Sequence, residues 1–310
     1  MTVAINLAEL PDPEIIESLD YETIVAESKA YLISLYPDED QEAITRTLQL
    51  ESEPLVKFIE LQAYKELTLR ARYNDEAKAL ILAKSTGANL DHIAFTYFRG
   101  ETRLVITEAD DEANPPIEEV LESDDDFRNR VALKPESYST AGPTQAYEYY
   151  ARTSSGQVKD ASATSPVPGT SLITILSRDG NGTPSPELLA VVDAYLSDET
   201  IRPQCEEVIV AAADIIEYSL NVTLYVFTGP DSSMVEENAN NALLAYTSSA
   251  HKLGFNVSHS ALDKAAHQSG VQHVDVEVVG AVEIDDQVVV TKLQAAYCTN
   301  IDITVVEVTS

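Results

Sequence analysis

The chain has 310 residues, room for two or three domains each with its own core, and its 44% apolar content is that of a globular protein. Acidic residues outnumber basic ones 52 to 20, a formal net charge of −32, so the summed field repels a phosphate backbone or an anionic membrane surface and disfavours nucleic-acid binding. So much acid reads as a solubility device, with a basic partner protein as the functional alternative.

Residues 18 to 36 read as a helix that starts near Asp20, carries Ile24, Tyr31, Leu32 and Leu35 on one face, and stops at Pro37. A second helix with Ile44 and Leu48 follows. Pro54 suits the first turn of a long helix running to Ser85, with Gly87 beyond it as a stop. At about 1.5 Å per residue it extends roughly 45 Å. Its apolar positions wander around the surface, so it needs packing partners. An intramolecular bundle and a face left for another subunit both satisfy that need, and Leu55, Phe58, Ile59 and Tyr73 are the candidate partner-interface residues.

A short helix from Asn89 to Phe98 precedes a strand at Arg103-Leu-Val-Ile-Thr and a solvated acidic loop, residues 108 to 119. Its acids are too irregularly spaced for a calcium loop. Ser123 can then cap a helix, with Asp124 and Asp125 in the first turn and Asp126 where a capping box places an acid. Phe127 and Val131 share one face, with Arg128 and Arg130 outside it. Pro143 suits the first position of the next helix, where Ala146, Tyr149 and Tyr150 form an apolar stripe up to Gly156.

Val158 to Thr164 and Ser171 to Ser177 read as strands, and a helix capped by Ser185 with Pro186 at its first position follows. Glu207-Val-Ile-Val-Ala is a strand. Tyr218 to Phe227 is the clearest one, because Leu220, Val222, Leu224 and Val226 alternate with polar or amphipathic residues. Helices from Ser232 to Gly254 and Ser258 to Gly270, and strands at Val271 to Val279 and Thr299 to Val308, complete the chain. The fold class expected is α+β: an N-terminal long-helix region, 1–100, followed by two small α+β modules with largely antiparallel sheets, 101–216 and 217–310.

Little here suggests chemistry. His251, His259 and His267 recur at intervals of eight, but eight is a poor facing interval on a helix and Gly254 interrupts it, so they read as surface or helix-terminal histidines. Asp179-Gly-Asn-Gly opens like a calcium loop, yet Ala190 occupies the twelfth position. No nucleophile elbow, phosphate loop or dinucleotide fingerprint occurs. The expectation is no catalytic residue, no cofactor and no metal; a cation-binding or peptide-recognition module, or a metal-dependent hydrolase, is the alternative. Cys205 and Cys298 have no metal or redox spacing and read as reduced thiols. Met1-Thr-Val-Ala-Ile-Asn-Leu lacks the basic start and apolar core of a signal peptide, and no apolar run approaches membrane-spanning length, so assembly in the cytoplasm is expected.

Glu122-Ser-Asp-Asp-Asp-Phe-Arg-Asn-Arg-Val, followed at a short distance by Ala141-Gly-Pro-Thr-Gln-Ala-Tyr-Glu-Tyr-Tyr-Ala-Arg-Thr, resembles the central signature of the baseplate J family. The likeness extends to Leu50-Glu-Ser-Glu-Pro-Leu-Val-Lys, Asn89-Leu-Asp-His-Ile, Ile201-Arg-Pro and His251-Lys-Leu-Gly. The resemblance implies a wedge subunit of a contractile-tail baseplate. Its implied partners are a second copy, a protein I-like wedge subunit, a lysozyme-like sheath-initiating subunit and the central hub and spike, with neither nucleic acid nor membrane. It implies no catalytic residues. The heavy acidity departs from the family's usual surface.

Overall fold

The computed structural model describes residues 10, 11, 13, 16–139, 142–227 and 232–308. The Met1-to-Leu7 segment considered above and Ala141 of the second signature segment lie outside the described residues. The chain forms two compact units, Met1–Thr102 and Arg103–Ser310.

The first unit is helical: α1 (Tyr21–Ser34), α2 (Asp38–Thr47), α3 (Pro54–Ala79) and α4 (Gly87–Tyr97). Asp20 caps α1, its Oδ1 accepting from the backbone N–H groups of Glu22 and Thr23. Ile24 and Val25 of α1 meet Val56, Ile59 and Ala63 of α3, with Leu48 closing the cluster. Each large aliphatic side chain buried there contributes about 1.5–3 kcal/mol. α3 stops short of the expected Ser85. From Leu80 onward the backbone bonds tighten to three-residue spacing, Leu80 to Ala77 and Ile81 to Lys78, and the segment turns.

The second unit opens with an antiparallel pair, β1 (Val105–Thr107) and β2 (Val120–Leu121), flanking the acidic loop. α5 (Asp124–Leu133), a 3-10 turn (Lys134–Tyr138) and α6 (Thr144–Ser154) lead to β3 (Val158–Val167), β4 (Thr170–Ser177), α7 (Pro186–Leu196) and β5 (Glu207–Ala212). Pro143 is the extended cap residue of α6 and not its first helical position. Ser185 caps α7 as expected, its Oγ accepting from Leu188 N–H at 3.2 Å. A Cβ at Gly156 would stand 2.1 Å from the Val105 carbonyl oxygen, so only glycine lets the chain entering β3 pass this close to β1.

The chain continues as β6 (Asp214–Phe227), α8 (Ser232–Ala250), β7 (Val257–Ser258), α9 (His259–Ala266), β8 (Val271–Val279), β9 (Glu283–Ile284), β10 (Gln287–Val288) and β11 (Gln294–Val308). Two three-stranded sheets dominate, ordered β3-β4-β5 and β11-β6-β8. Each combines one antiparallel and one parallel pair: β3 runs against β4 and β5 along it, β8 runs against β6 and β11 along it. The parallel pairs arise because α7 carries the chain over from β4 to β5, and the α8-to-β10 excursion carries it from β6 to β11. The strand orders in sequence differ, so the two modules are not copies of one topology. Leu220, Val222, Leu224 and Val226 all point into the second core, as their alternation requires.

Candidate interaction surfaces

On α3, at about 100° per residue, Phe58, Leu69 and Tyr73 fall within about 60° of one another. Val56, Ile59 and Ala63 face the helical core instead. The four residues proposed from sequence therefore divide. Ile59 is buried and Leu55 packs half-buried beside it, whereas Phe58 is 55% and Tyr73 54% exposed. Tyr73 and Leu69 line an open groove of about 590 Å³ with Glu17, Gln62, Lys65, Glu66 and Arg70. Its far wall is fixed by Asn74, a buried residue that sequence reading missed. The Asn74 side chain accepts from Glu17 N–H and donates to Glu17 C=O, both at 2.9 Å, and Arg70 Nε lies 3.2 Å from the Glu17 carboxylate. A polar residue on the inward side of an apolar helix was the available signal.

The signature segment is a buried electrostatic knot. Ser123 Oγ accepts from Asp126 N–H at 3.2 Å, capping α5 as expected. Asp126 does not complete a capping box, since its Oδ2 accepts from Arg178 at 2.7 Å. Phe127 and Val131 are fully buried. Arg128 and Arg130, expected outside that face, are buried too. Arg130 donates to Glu122 through Nε and Nη2, the closest approach being 2.8 Å, and this pair is 2% and 5% exposed. Both Arg103 and Arg130 place their guanidinium carbons 5.2 Å from the Phe127 ring centre. The missed signal is Glu122 standing just before the cap, where it can reach the inward arginine.

A second knot joins the two sheet modules. Asp160 of β3 pairs with Arg152 of α6, and its carboxylate also accepts from the N–H groups of Ala161 and Leu253. Beside it, Lys159 Nζ lies 3.0 Å from His251 Nδ1. A lysine ammonium has no acceptor, so it donates to a neutral imidazole whose proton sits on Nε2. Burial first, and the Lys159 charge second, depress the His251 pKa to about 4, while the Asn181 backbone acts the other way. Nε2 faces the Asn181-Gly182 turn without a hydrogen bond of good geometry among the described residues. A Cβ on Gly182, whose φ is +96°, would approach it to 2.9 Å.

His251 ends a helix but is not at the surface, because this turn and the Tyr297 ring cover it. His259 pairs separately with Glu283. Among the described residues no three His, Cys, Asp or Glu side chains converge on a metal-sized site, and no helix is long and apolar enough to cross a membrane. Cys205 and Cys298 are both free thiols. On the C-terminal module, Val282 and Ile284 expose apolar side chains around the β9–β10 hairpin.

The described residues form a mixed helix-and-sheet scaffold tied by buried ion pairs, with exposed aromatic side chains on α3, and sequence comparison gives its family. Residues 51–110 match the Baseplate J-like N-terminal domain and residues 139–212 the Baseplate J-like central domain. Over 295 residues the chain is 46% identical to Baseplate protein J of Escherichia phage P2, covering 95% of each. The chain belongs to the baseplate J family, structural proteins of phage baseplates.

Proposed function

We propose that this chain is a wedge subunit of a contractile-tail baseplate. Two copies join a protein I-like subunit, and six such wedges close a ring around the hub and spike, on which a lysozyme-like sheath-initiating subunit docks. The observation that supports this most directly is the 46% identity with a phage baseplate protein along nearly the whole chain. The product resides in the tail baseplate of the virion after assembly in the host cytoplasm, and its role is structural and not enzymatic.

In this reading the 1–100 region supplies the wedge bundle, with Phe58 and Tyr73 as its contact residues and Leu55 and Ile59 anchoring the N-terminal end of α3 to the helical core. The 101–216 module is the rigid centre and 217–310 meets the adjacent wedge. The ring rearranges on host attachment and releases sheath contraction, which requires rigid modules with exchangeable interfaces.

Co-expression with the adjacent protein I-like subunit, followed by size exclusion with mass determination, tests the reading. A complex holding two copies of this chain is expected, and Phe58→Asp with Tyr73→Asp should abolish it while leaving the fold intact. A folded monomer indifferent to a folded partner would overturn the wedge assignment. Normal assembly of the double variant would overturn the contact residues alone.

A further inference from the structure

β11 is an edge strand, paired along its length with β6 and with no other named strand among the described residues. At its start the backbone is answered on both sides, since Gln294 C=O accepts from Gly254 N–H and Ala295 bridges Leu253. From Thr299 to Val308 no second strand or loop bonds to the backbone among the described residues. A strand paired on one side turns a row of N–H and C=O groups outward along the other. The side chains tell the same story. Ile301, Ile303 and Val305 pack on the core of this module yet remain half-buried, whereas their register partners Leu220, Val222 and Leu224 on β6 are fully buried. On the opposite edge Val274 and Val276 of β8 are buried as well. The apolar layer is therefore one strand short on the β11 side.

Proteins ordinarily blunt a free edge with a short strand, a proline or a lysine. β11 is 15 residues long and contains neither residue. None of β6, β8 and β11 carries a Lys or an Arg. On the face turned away from the core, Asp302, Asn221 and Glu277 form one cross-strand row, and Thr304, Thr223 and Asp275 the next. The three acids are exposed. The edge thus offers backbone hydrogen bonds, a half-covered apolar layer on one side and carboxylates on the other.

We propose that the outer edge of β11 accepts one extended segment of a different chain, in which β-branched apolar residues alternate with basic ones, lysine among them. The added strand pairs with the backbone of residues 299–308. Its apolar residues extend the layer over Ile301, Ile303 and Val305, and its basic residues lie beside Asp302, an arrangement that stabilises a strand pair. A second copy of this chain does not fit the edge, because its own β11 brings further acids and no cation, and like charges across a strand pair oppose pairing. The inference rests on the reading of 217–310 as a contact module of the baseplate and specifies what that module holds.

Hydrogen–deuterium exchange of the full chain, measured alone and in purified tails, reads this directly. Amides of residues 299–308 should exchange faster than those of β6 in the free chain and slow by about tenfold or more in the tail. Carbodiimide, which condenses a carboxylate with a lysine amine in contact with it, should join Asp302 to a lysine of a different chain in the tail. Asp302→Asn should remove that product. Residues 299–308 exchanging as fast in the tail as in the free chain would overturn the proposal, and so would protection accompanied by coupling of Asp302 to a second copy of this chain. Purified tails that lack the chain altogether would overturn the wedge reading, and this inference with it.

Discussion

The Asp160 carboxylate accepts a hydrogen bond from the backbone N–H of Leu253 at 3.0 Å across 93 residues of sequence. It ties β3 of one sheet module to the loop that follows α8 of the other. Removing the carboxylate strands that N–H and one guanidinium. Asp160→Ala should therefore lower stability by about 1.5–3 kcal/mol, read as a lower urea midpoint. An unchanged midpoint would mean that the junction is held by apolar packing alone.

Glu122 and Arg130 are buried as a pair, and removing one partner leaves the other charge uncompensated. Glu122→Ala should cost about 3–5 kcal/mol, whereas Glu122→Leu with Arg130→Met should cost much less, because replacing both charges by apolar groups avoids the desolvation penalty. A double-mutant cycle measured by denaturant unfolding would show this as strong coupling. Additive losses would indicate that the two residues act independently.

His251 titrates near pH 4 in the folded chain, below the ordinary histidine value of 6.5. Between those values the unfolded state binds the extra proton, so stability is fully present above pH 6.5 and falls as the pH drops toward 4. The slope is about 1.4 kcal/mol per pH unit for one proton. The charged and polar groups acting on the ring are Lys159, Asp160 and the Asn181 backbone, and the many surface carboxylates add their own slope. The difference between wild type and His251→Gln isolates the histidine. Parallel pH–stability curves for the two proteins would rule this contribution out.

Cys205 is exposed, while burial pushes Cys298 up to about 11 and its Sγ–H donates to the Asn300 carbonyl. Because the thiolate is the reactive form, iodoacetamide at neutral pH should label Cys205 first. Peptide mapping should find Cys298 unmodified until the chain unfolds. Equal labelling rates in the native state would contradict this ordering.

What the sequence made legible was local. The helix start near Asp20, the caps at Ser123 and Ser185 and the alternation along β6 depend on neighbours within a few residues, and each appears where read. The exposure of Phe58 and the burial of Ile59 could not be separated, because adjacent apolar residues on an all-round apolar helix look alike until the position of α1 is known. Helical periodicity alone points Arg128 and Arg130 outward, because charge ordinarily faces water. Their burial depends on Glu122 and on aromatic and tertiary neighbours that hydrophobic periodicity ignores. The parallel strand pairs were likewise hidden, since pairing direction follows from how α7 and the α8-to-β10 excursion cross over, not from composition.

Only Ala213 separates β5 from β6. It is buried against Leu176 and Ala295, its N–H donates to the Ile175 carbonyl, and the next N–H, of Asp214, donates to Leu293. One extended run of backbone is therefore shared by both sheets, with no slack between them. A load applied to the C-terminal module travels into the central one along covalent bonds loaded end to end. Hydrogen bonds flanking that run would be sheared together and not unzipped one after another. The two modules are thus coupled through the main chain itself, so a displacement of one is passed to the other without an intervening linker to absorb it.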